Sequence, residues 1–453
     1  MEVLNIKEIA AACNGECFGD AEITNAVIDT RKITKGCLFI CIKGERFDAH
    51  TFIDEAIEKG ASAVMICEDI APGCPYIKVG DTAKALLDMA GYYRSKFNIP
   101  VVGLTGSVGK TTTKEFTYLV VNSKYNAIKT QGNLNNEIGV PQMLFQIDNS
   151  IEAAVIEMGM NHFGEISRIV SAVKPTVGLI TNIGVSHIEN LGSRDGILKA
   201  KLEICEGLQE GAPLILNGDD DKLNTVKDNK HKIYFYGIEN GDFKAESIEE
   251  NNGSTTFTVS YFSKKQKITI PTIGIHNVYN ALAAFAVGYF IGADPEKSAQ
   301  ALSQYVPAGM RQKTVCVGGI TSIEDCYNAS PDSMRAALRT LHDTKGGKKI
   351  AVLADMLELG DYSKTAHKSV GEMAAENKID YLFAYGENAK YYVQSAKDNG
   401  LVNAFLFDNK EDLSKKLAET ASRGDVVIFK GSRGMRLEDV INSVYKKWGK
   451  ENE

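Results

Sequence analysis

The stretch "VVGLTGSVGKTTTKEF", Val101 to Phe116, decides how the rest of the chain is read. Its β-branched and apolar lead-in has the composition of a buried strand, and a helix is expected from Thr111. Between them stand Gly106, Ser107 and Gly109, then Lys110, Thr111 and Thr112. In a strand–loop–helix, backbone N–H groups at the helix start point at an anion, and the helix dipole favours negative charge there. Glycine lets the chain approach phosphate with no Cβ in the way. Lys110 offers a cation to the outer phosphates of a nucleotide, and Thr111 offers a hydroxyl to Mg²⁺. The usual spacing, G-x-x-x-x-G-K-[ST], requires glycine at 104, where this chain has leucine. An ordinary glycine turn opening a helix explains neither the preceding strand nor the G-K-T-T run.

Mg²⁺ held with ATP normally takes a protein carboxylate as well as phosphate oxygens. "AAVIEMG" supplies Glu157 at the end of an apolar strand, and the carboxyl edge of a parallel sheet faces the ligand crevice. "TNIGVSHIENLGSRDGILKAKLEI" places His187 after another strand, followed by Lys199 and Lys201. A lone histidine is usually structural and two lysines on a helix usually a solvated face. His187 differs in sharing the expected sheet edge with Glu157.

Outward from that core, residues 1–97 mix short strands ("AVID", "CLFICIKG") with helices ("AHTFIDEAIEKGA", "TAKALLDMAGYYRSKF"). Apolar strands "VVGLTG", "AAVIEMGM", "VGLITNIG" and "PLILNGDDD" predict a covered parallel sheet over 98–305. A β-rich excursion ("KIYFYGI", "TTFTVSYF", "QKITIPT") and the helix "NVYNALAAFAVGYFIGA" follow within it. After "QYVPAGMRQ", strands alternate with helices again over 306–453, which predicts a second parallel sheet of Rossmann-like kind. The expected fold class is α/β in three domains.

Composition narrows the function classes. The chain has 453 residues, long enough for about two to four domains. Its net charge of −7 argues against general nucleic-acid binding, which rests on a basic surface. No stretch approaches the roughly 20 apolar residues of a membrane span. The opening "MEVLNIKEIAAACNGECFGD" lacks a basic region followed by an apolar run, so no signal peptide is expected. The nine cysteines form no C-x-x-C, and no Cys or His cluster completes a zinc set beside Cys13/Cys17 or Cys37/Cys41. Reduced cysteines in a cytoplasmic protein are the expectation.

Several segments, in order, resemble the Mur ligase superfamily of ATP-dependent amide-forming enzymes of peptidoglycan synthesis. They are "TGSVGKTTTKE", "NLNNEIGVP", "IEMGMNHFGEI", "TNIGVSHIENLGS", "LNGDD" and "GIHNVYNALAA". That superfamily keeps T-G-x-x-G-K-[ST] without the first Walker glycine, so Leu104 fits it. "DCYNASPDSMRAAL" and "AVLADMLELGDYSKTAHKSVG" are similar to the MurF-type branch, which adds D-alanyl-D-alanine to a UDP-N-acetylmuramoyl-tripeptide. "DTRKITKGCLFICIKGERFDAHTFIDEAIEKGA" resembles the UDP-binding domain shared by the MurE and MurF types; "DAH" at Asp48–His50 stands where the family commonly has D-G-H. The MurE-type D-N-P-R motif is absent. Another Mur step or a folylpolyglutamate synthetase-like ligase is the nearest alternative, and an ATP-hydrolysing regulator a distant one.

The resemblance implies a set of roles. ATP lies on Gly106, Ser107, Gly109, Lys110, Thr111 and Thr112. Thr111 and Glu157 hold one Mg²⁺, and His187 helps hold a second. Lys201 aligns with a lysine that carries a carbamate, with Lys199 as the rival position. Asn277 and Asn280 lie near the base, although His276 could replace either. Arg311 and Asp325 correspond to phosphate and ribose contacts. Asn328, Lys430, Ser432 and Arg433 face the incoming dipeptide, and Asp29, Arg31, Asn135 and Asn136 the UDP-sugar side. The catalytic set is therefore Lys110, Glu157, His187 and Lys201, with a monomer as the expected state.

Overall fold

In the computed structural model, residues 1–44, 47–251, 253–307 and 309–449 are described. Glu45 and Arg46 of the N-terminal motif and Ala308 of "QYVPAGMRQ" lie outside them. Three large sheets follow one another along the chain. The first has five strands in the order Glu16–Phe18, Tyr76–Lys78, Ala63–Ile66, Cys37–Ile40 and Asn25–Val27. It is parallel except at the Glu16–Phe18 edge. At Asp48–His50 the aspartate carboxylate accepts from the His50 N–H at 3.0 Å and caps a short helical turn. Ala49 there is buried and not left-handed, so a Cβ fits where the family commonly carries glycine.

The helix Thr82–Ser95 starts on Asp81, whose carboxylate accepts from the N–H groups of Ala83 and Lys84. Its Leu86, Met89, Ala90 and Tyr93 are buried in one cluster with Ile147, Ile169 and Val173, so the first two units share a core. Tyr93 ties them further, donating to the Ile147 carbonyl and accepting from the Glu2 N–H.

The second sheet has nine strands. Ala127–Lys129, Ala153–Glu157, Val101–Thr105, Val177–Ile180, Pro213–Asn217, Lys232–Gly237 and Phe243–Asn251 pair in parallel, in that order. The strands beside the phosphate loop are apolar and buried on both faces, as a sheet covered by helices requires. The β-rich excursion continues this same sheet, because Ser254–Tyr261 and Lys264–Ile270 add to its edge antiparallel. Ser254–Tyr261 alternates buried and half-buried residues, which suits one covered face and one wet face. Across the covered face lies Ile275–Phe290, packed on the loop helix Lys110–Asn122. A Cβ on Gly288 would stand 2.4 Å from Val120 Cγ1, so glycine sets how closely the two helices cross.

Leu104 sits inside the strand Val101–Thr105, paired with Glu157 on one side and Leu179 on the other. It is fully buried in the cluster that holds Phe116 and Val278. The position a Walker motif gives to glycine is thus a core position here. Leu104→Gly is expected to destabilise the central domain by about 3–5 kcal/mol, the range of large core truncations, read by calorimetry. A neutral substitution would mean that the strand starts its turn earlier.

The third sheet has six strands in the order Lys313–Val317, Ile320–Glu324, Val426–Lys430, Lys349–Ala354, Tyr381–Tyr385 and Ala404–Phe407. It is parallel except for the first strand, which forms a hairpin with its neighbour. "KTVCV" forms this edge strand because it needs only one partner, and Gly318 and Gly319 both take the left-handed backbone that the turn demands.

Candidate active site

Gly106, at the end of its strand, lies so close to Thr181 that a Cβ would come within 1.8 Å of Thr181 Oγ1. Gly109 (φ +82°) precedes the first helical residue, Lys110, and a Cβ there would meet Asn280 Oδ1 at 2.8 Å. The neighbouring strand end clamps the loop between them. Asn182 Oδ1 accepts from the Val108 N–H at 2.9 Å, and Asn182 Nδ2 and Thr181 Oγ1 both donate to the Val108 carbonyl at 2.8 Å. The loop's shape is therefore preset before any ligand arrives. Lys110 Nζ donates to the Gly106 carbonyl at 2.7 Å, holding its charge over the loop. Burial lowers the Lys110 ammonium from its ordinary value, with Glu157 opposing and Arg311 adding to that shift.

Thr111 Oγ1 donates to Glu157 Oε2 at 3.0 Å, and Asn135 Nδ2 donates to Glu157 Oε1 at 2.9 Å. Glu157 is 2% exposed, and its N–H is held by Thr130 Oγ1. A buried carboxylate bonded to the loop threonine is the donor set a hard cation takes, so the residues fit Mg²⁺. Sequence reasoning missed Lys114, which is 1% exposed, 3.9 Å from Glu157 and 3.1 Å from Glu115. Its spacing of four from Lys110, one turn along the loop helix, was the available signal.

His187 has a left-handed backbone (φ +62°) at the start of the short helix Ile188–Leu191. Its Nδ1 lies 3.2 Å from Glu358 Oε2 of the third domain, across the domain boundary. Lys201 and Lys199 part company. Ile197, Ala200 and Lys201 form the buried face of the helix Arg194–Leu202, at the i, i+3, i+4 spacing, while Lys199 is exposed. Lys201 is 2% exposed. Burial lowers its amine well below the usual lysine range, and the charge of Lys110 lowers it further. No carboxylate among the described residues offsets that shift. It does not line the cavity between the central and third domains.

That cavity, of about 480 Å³, lies between the central and third domains. Ser107, Gly109, Lys110, Thr111, Thr112, Glu157 and His187 face it from one side, and Arg311, Asp325, Asn328 and Lys430 from the other. The Arg311 guanidinium lies 3.7 Å above the Tyr327 ring, a cation–π contact between two cavity-lining residues. Lys430, 2% exposed, donates to Asp325 Oδ2 at 2.8 Å and to the Asn328 carbonyl at 3.1 Å. Lys430→Met is expected to destabilise the third domain by about 3–5 kcal/mol, because it strands a largely buried carboxylate. Trp448, the chain's one tryptophan, is buried in that domain's core and reports its unfolding in urea. An unchanged midpoint would show that the pair contributes nothing.

Asn277 and Asn280 line the cavity, yet both carboxamides are engaged within the protein. Asn280 Oδ1 accepts from Thr113 Oγ1 at 2.9 Å beside Gly109, bracing the loop. Asn277 Nδ2 donates to the Ile273 carbonyl and to Gln312 Oε1, which also bonds His276 Nε2. Asn136 faces the cavity, its Oδ1 accepting from the N–H of Gly139, the first residue of the helix Gly139–Leu144. Asp29 and Arg31 stand outside the cavity, bonded to each other in an exposed bidentate pair. Ser432 and Arg433 also stand outside it: Ser432 Oγ accepts from the Leu357 N–H, and Arg433 pairs with Glu438.

A glycine loop, a buried carboxylate on its threonine and a cation-lined cleft between two α/β domains define an ATP-using group-transfer protein. Three family models match in order: "Mur ligase family, catalytic domain" over 22–93, "Mur ligase middle domain" over 104–288 and "Mur ligase, glutamate ligase domain" over 310–433. The chain belongs to the Mur ligase family. It is 39% identical to the UDP-N-acetylmuramoyl-tripeptide--D-alanyl-D-alanine ligase of Bacillus subtilis strain 168, covering 97% of this chain and 98% of that protein. Among solved structures it is similar to MurF from Acinetobacter baumannii, with a TM-score of 0.92 at 31% identity over 98% of this chain and 99% of that one. MurF ligase from Thermotoga maritima in complex with ADP matches with a TM-score of 0.87 at 29% identity, covering 94% and 98%.

Proposed function

We propose that this chain is an ADP-forming ligase that joins D-alanyl-D-alanine to UDP-N-acetylmuramoyl-tripeptide, making the pentapeptide precursor of peptidoglycan. The observation that carries the reading is the cleft itself: the phosphate loop with Glu157 and His187 faces Arg311, Asp325 and Asn328 across one cavity. Relatives bearing the D-alanyl-D-alanine ligase name match over essentially the whole chain, which favours this branch over another Mur step. We take 1–97 as the UDP-substrate domain, 98–305 as the ATP domain and 306–453 as the domain that brings the dipeptide.

A carboxylate resists amines because its carbonyl is electron-rich and oxide is a poor leaving group. In the proposed reaction a tripeptide carboxylate oxygen attacks the γ-phosphorus of ATP. The bond from that phosphorus to the β–γ bridging oxygen breaks, releasing ADP and leaving an acyl phosphate. The dipeptide amine then attacks the acyl carbon, loses a proton, and the tetrahedral intermediate expels phosphate. Lys110 and the loop N–H groups hold the outer phosphates and spread their charge. Thr111 and Glu157 would hold one Mg²⁺, and His187 with carbamylated Lys201 a second. Bound there, Mg²⁺ would supply charge neutralisation for the phosphoryl transfer. Lys201 suits carbamate formation because burial and the Lys110 charge disfavour its charged form: the free amine nitrogen bonds CO₂, a proton leaves, and the group becomes an anion. Arg311 and Asp325 serve phosphate and ribose, and Asn277, Asn280 or His276 the adenine side. Asn328 and the Lys430 strand end, with Ser432 and Arg433 beyond the present cavity, serve the dipeptide. Asn135 and Asn136, with Asp29 and Arg31, serve the UDP-sugar side, and Asn135 also orients Glu157.

One chain completes this cleft, so a monomer suffices. Among the described residues no helix is long and apolar enough to cross a membrane. The use of ATP and a UDP-linked substrate supports the cytoplasm as the compartment. The test is a substrate matrix with both diaminopimelate- and lysine-containing tripeptides. Phosphate release is expected only when UDP-muramoyl tripeptide, ATP, Mg²⁺ and D-alanyl-D-alanine are all present. Release driven by a single amino acid in place of the dipeptide would sink the assignment.

A further inference from the structure

Away from the cleft, three side chains of different chemistry converge where the segment after Lys201 meets the amino-terminal end of an interior strand of the central sheet. Cys205 comes from the 3₁₀ turn Glu203–Glu206, Asp228 from the following loop, and His231 from the residue before the strand Lys232–Gly237. One ligand atom from each lies within 4.8 Å of the other two. The His231 side chain is 3% exposed and that of Asp228 18%. None of the three lines the cleft cavity, and the proposed ligase reaction uses none of them.

We propose that Cys205, Asp228 and His231 form a site for a thiophilic divalent transition-metal ion of the zinc class. Zinc takes sulfur, imidazole nitrogen and carboxylate oxygen at about 2.0–2.3 Å, so donors this close can share one ion after small side-chain rotations. The far ring nitrogen supports the reading. His231 Nε2–H donates to the Leu208 carbonyl at 3.1 Å, which holds the ring with Nδ1 toward Asp228 Oδ2, 2.7 Å away; without an ion Nδ1–H donates to that carboxylate, and an ion would take the place of this proton. Metal-bound histidines are commonly held by this bond from the second nitrogen to a backbone carbonyl. Asp228 is similarly set: its Oδ1 accepts from the N–H groups of Lys230 and His231, which leaves Oδ2 for the cluster. On binding, the Cys205 thiol and His231 Nδ1 each release a proton to solvent, and the ion is bonded by the thiolate sulfur and the imidazole nitrogen. Water fills the fourth position. A thiolate and an imidazole select against Mg²⁺, which prefers oxygen, so this site and the cleft would take different ions. The bound ion would join the segment that follows the Lys201 helix to the start of the strand Lys232–Gly237, acting as a staple rather than a reaction centre.

The experiment uses the whole chain in excess Mg²⁺. Zn²⁺ is added alone, and maleimide labelling of Cys205 is followed by peptide mass spectrometry. Zn²⁺ is expected to slow Cys205 labelling at least about tenfold, while further Mg²⁺ leaves it unchanged. Co²⁺ substitution is expected to give a thiolate-to-metal charge-transfer band that Cys205→Ser removes. Asp228→Asn should weaken Zn²⁺ protection at least about tenfold without moving the far-ultraviolet spectrum. Labelling indifferent to Zn²⁺, or a Co²⁺ band that survives Cys205→Ser, would reduce the cluster to a hydrogen-bonded triad and overturn the proposal.

Discussion

Lys201→Ala is expected to lower kcat by about 100- to 1,000-fold, the loss typical when a preorganised charge-stabilising group is removed. The reason lies in where the amine sits. It is 2% exposed, Lys110 adds a like charge, and no carboxylate among the described residues offsets that shift. An isolated buried ammonium is among the costliest groups a fold can hold, so such a lysine is neutral or chemically altered. A carbamate resolves the problem by turning the group into an anion that a cation can hold. The Lys201→Ala variant should therefore regain part of its activity in formate or acetate, whose carboxylate can fill the vacated space. Growth of the wild-type protein in ¹³C-bicarbonate should give a carbamate carbon signal that the variant lacks. A variant as active as wild type, with no response to short carboxylates, would end the idea. Lys199→Ala is the control: an exposed residue on the opposite face of the helix, it should leave kcat within about twofold.

Lys110→Ala is expected to cost at least about 1,000-fold in kcat, or about 4 kcal/mol of transition-state stabilisation. Its ammonium now rests on the Gly106 carbonyl, held over the loop without a carboxylate directly bonded to it. That arrangement keeps the charge available for phosphate. Because Asn182, Thr181 and Asn280 shape the loop independently of the lysine, the variant should still fold with an unchanged calorimetric midpoint. Rapid-quench measurement of acyl phosphate formation separates the roles. Loss in the phosphoryl-transfer step supports the assignment, whereas an unaltered rate there removes Lys110 from it.

Much of the site was legible because it depends on local chain chemistry. A glycine loop between a buried strand and a helix has few uses, and Thr111, Glu157 and His187 follow apolar strands whose carboxyl ends share an edge. Lys201 against Lys199 was also decidable in principle, since Ile197 and Ala200 mark the buried face of their helix. What escaped were groups whose partners lie far away in sequence. Lys114 is notable only once the strand Ala153–Glu157 is beside the loop helix. The bond from Asn135, a cavity-lining residue, to Glu157 spans 22 residues. Ser432 and Arg433 stand in the same strand-end segment as Lys430, but their bonds run to Leu357 and Glu438 rather than into the cleft.

By itself the amino-acid sequence determined that this is a three-part α/β chain with a phosphate loop, because strand hydrophobicity, glycine placement and helix caps act over a few residues. It also carried the answer to Leu104, a strand residue in a family that does without the first Walker glycine. Only the tertiary structure decided which side chains confront one another. It buried Lys201 without an opposing charge, paired Lys430 with Asp325, and set His187 against Glu358. It also brought Cys205, Asp228 and His231 together. Burial and distance set those outcomes, and both depend on sheet order and domain contact, which no short stretch of sequence encodes.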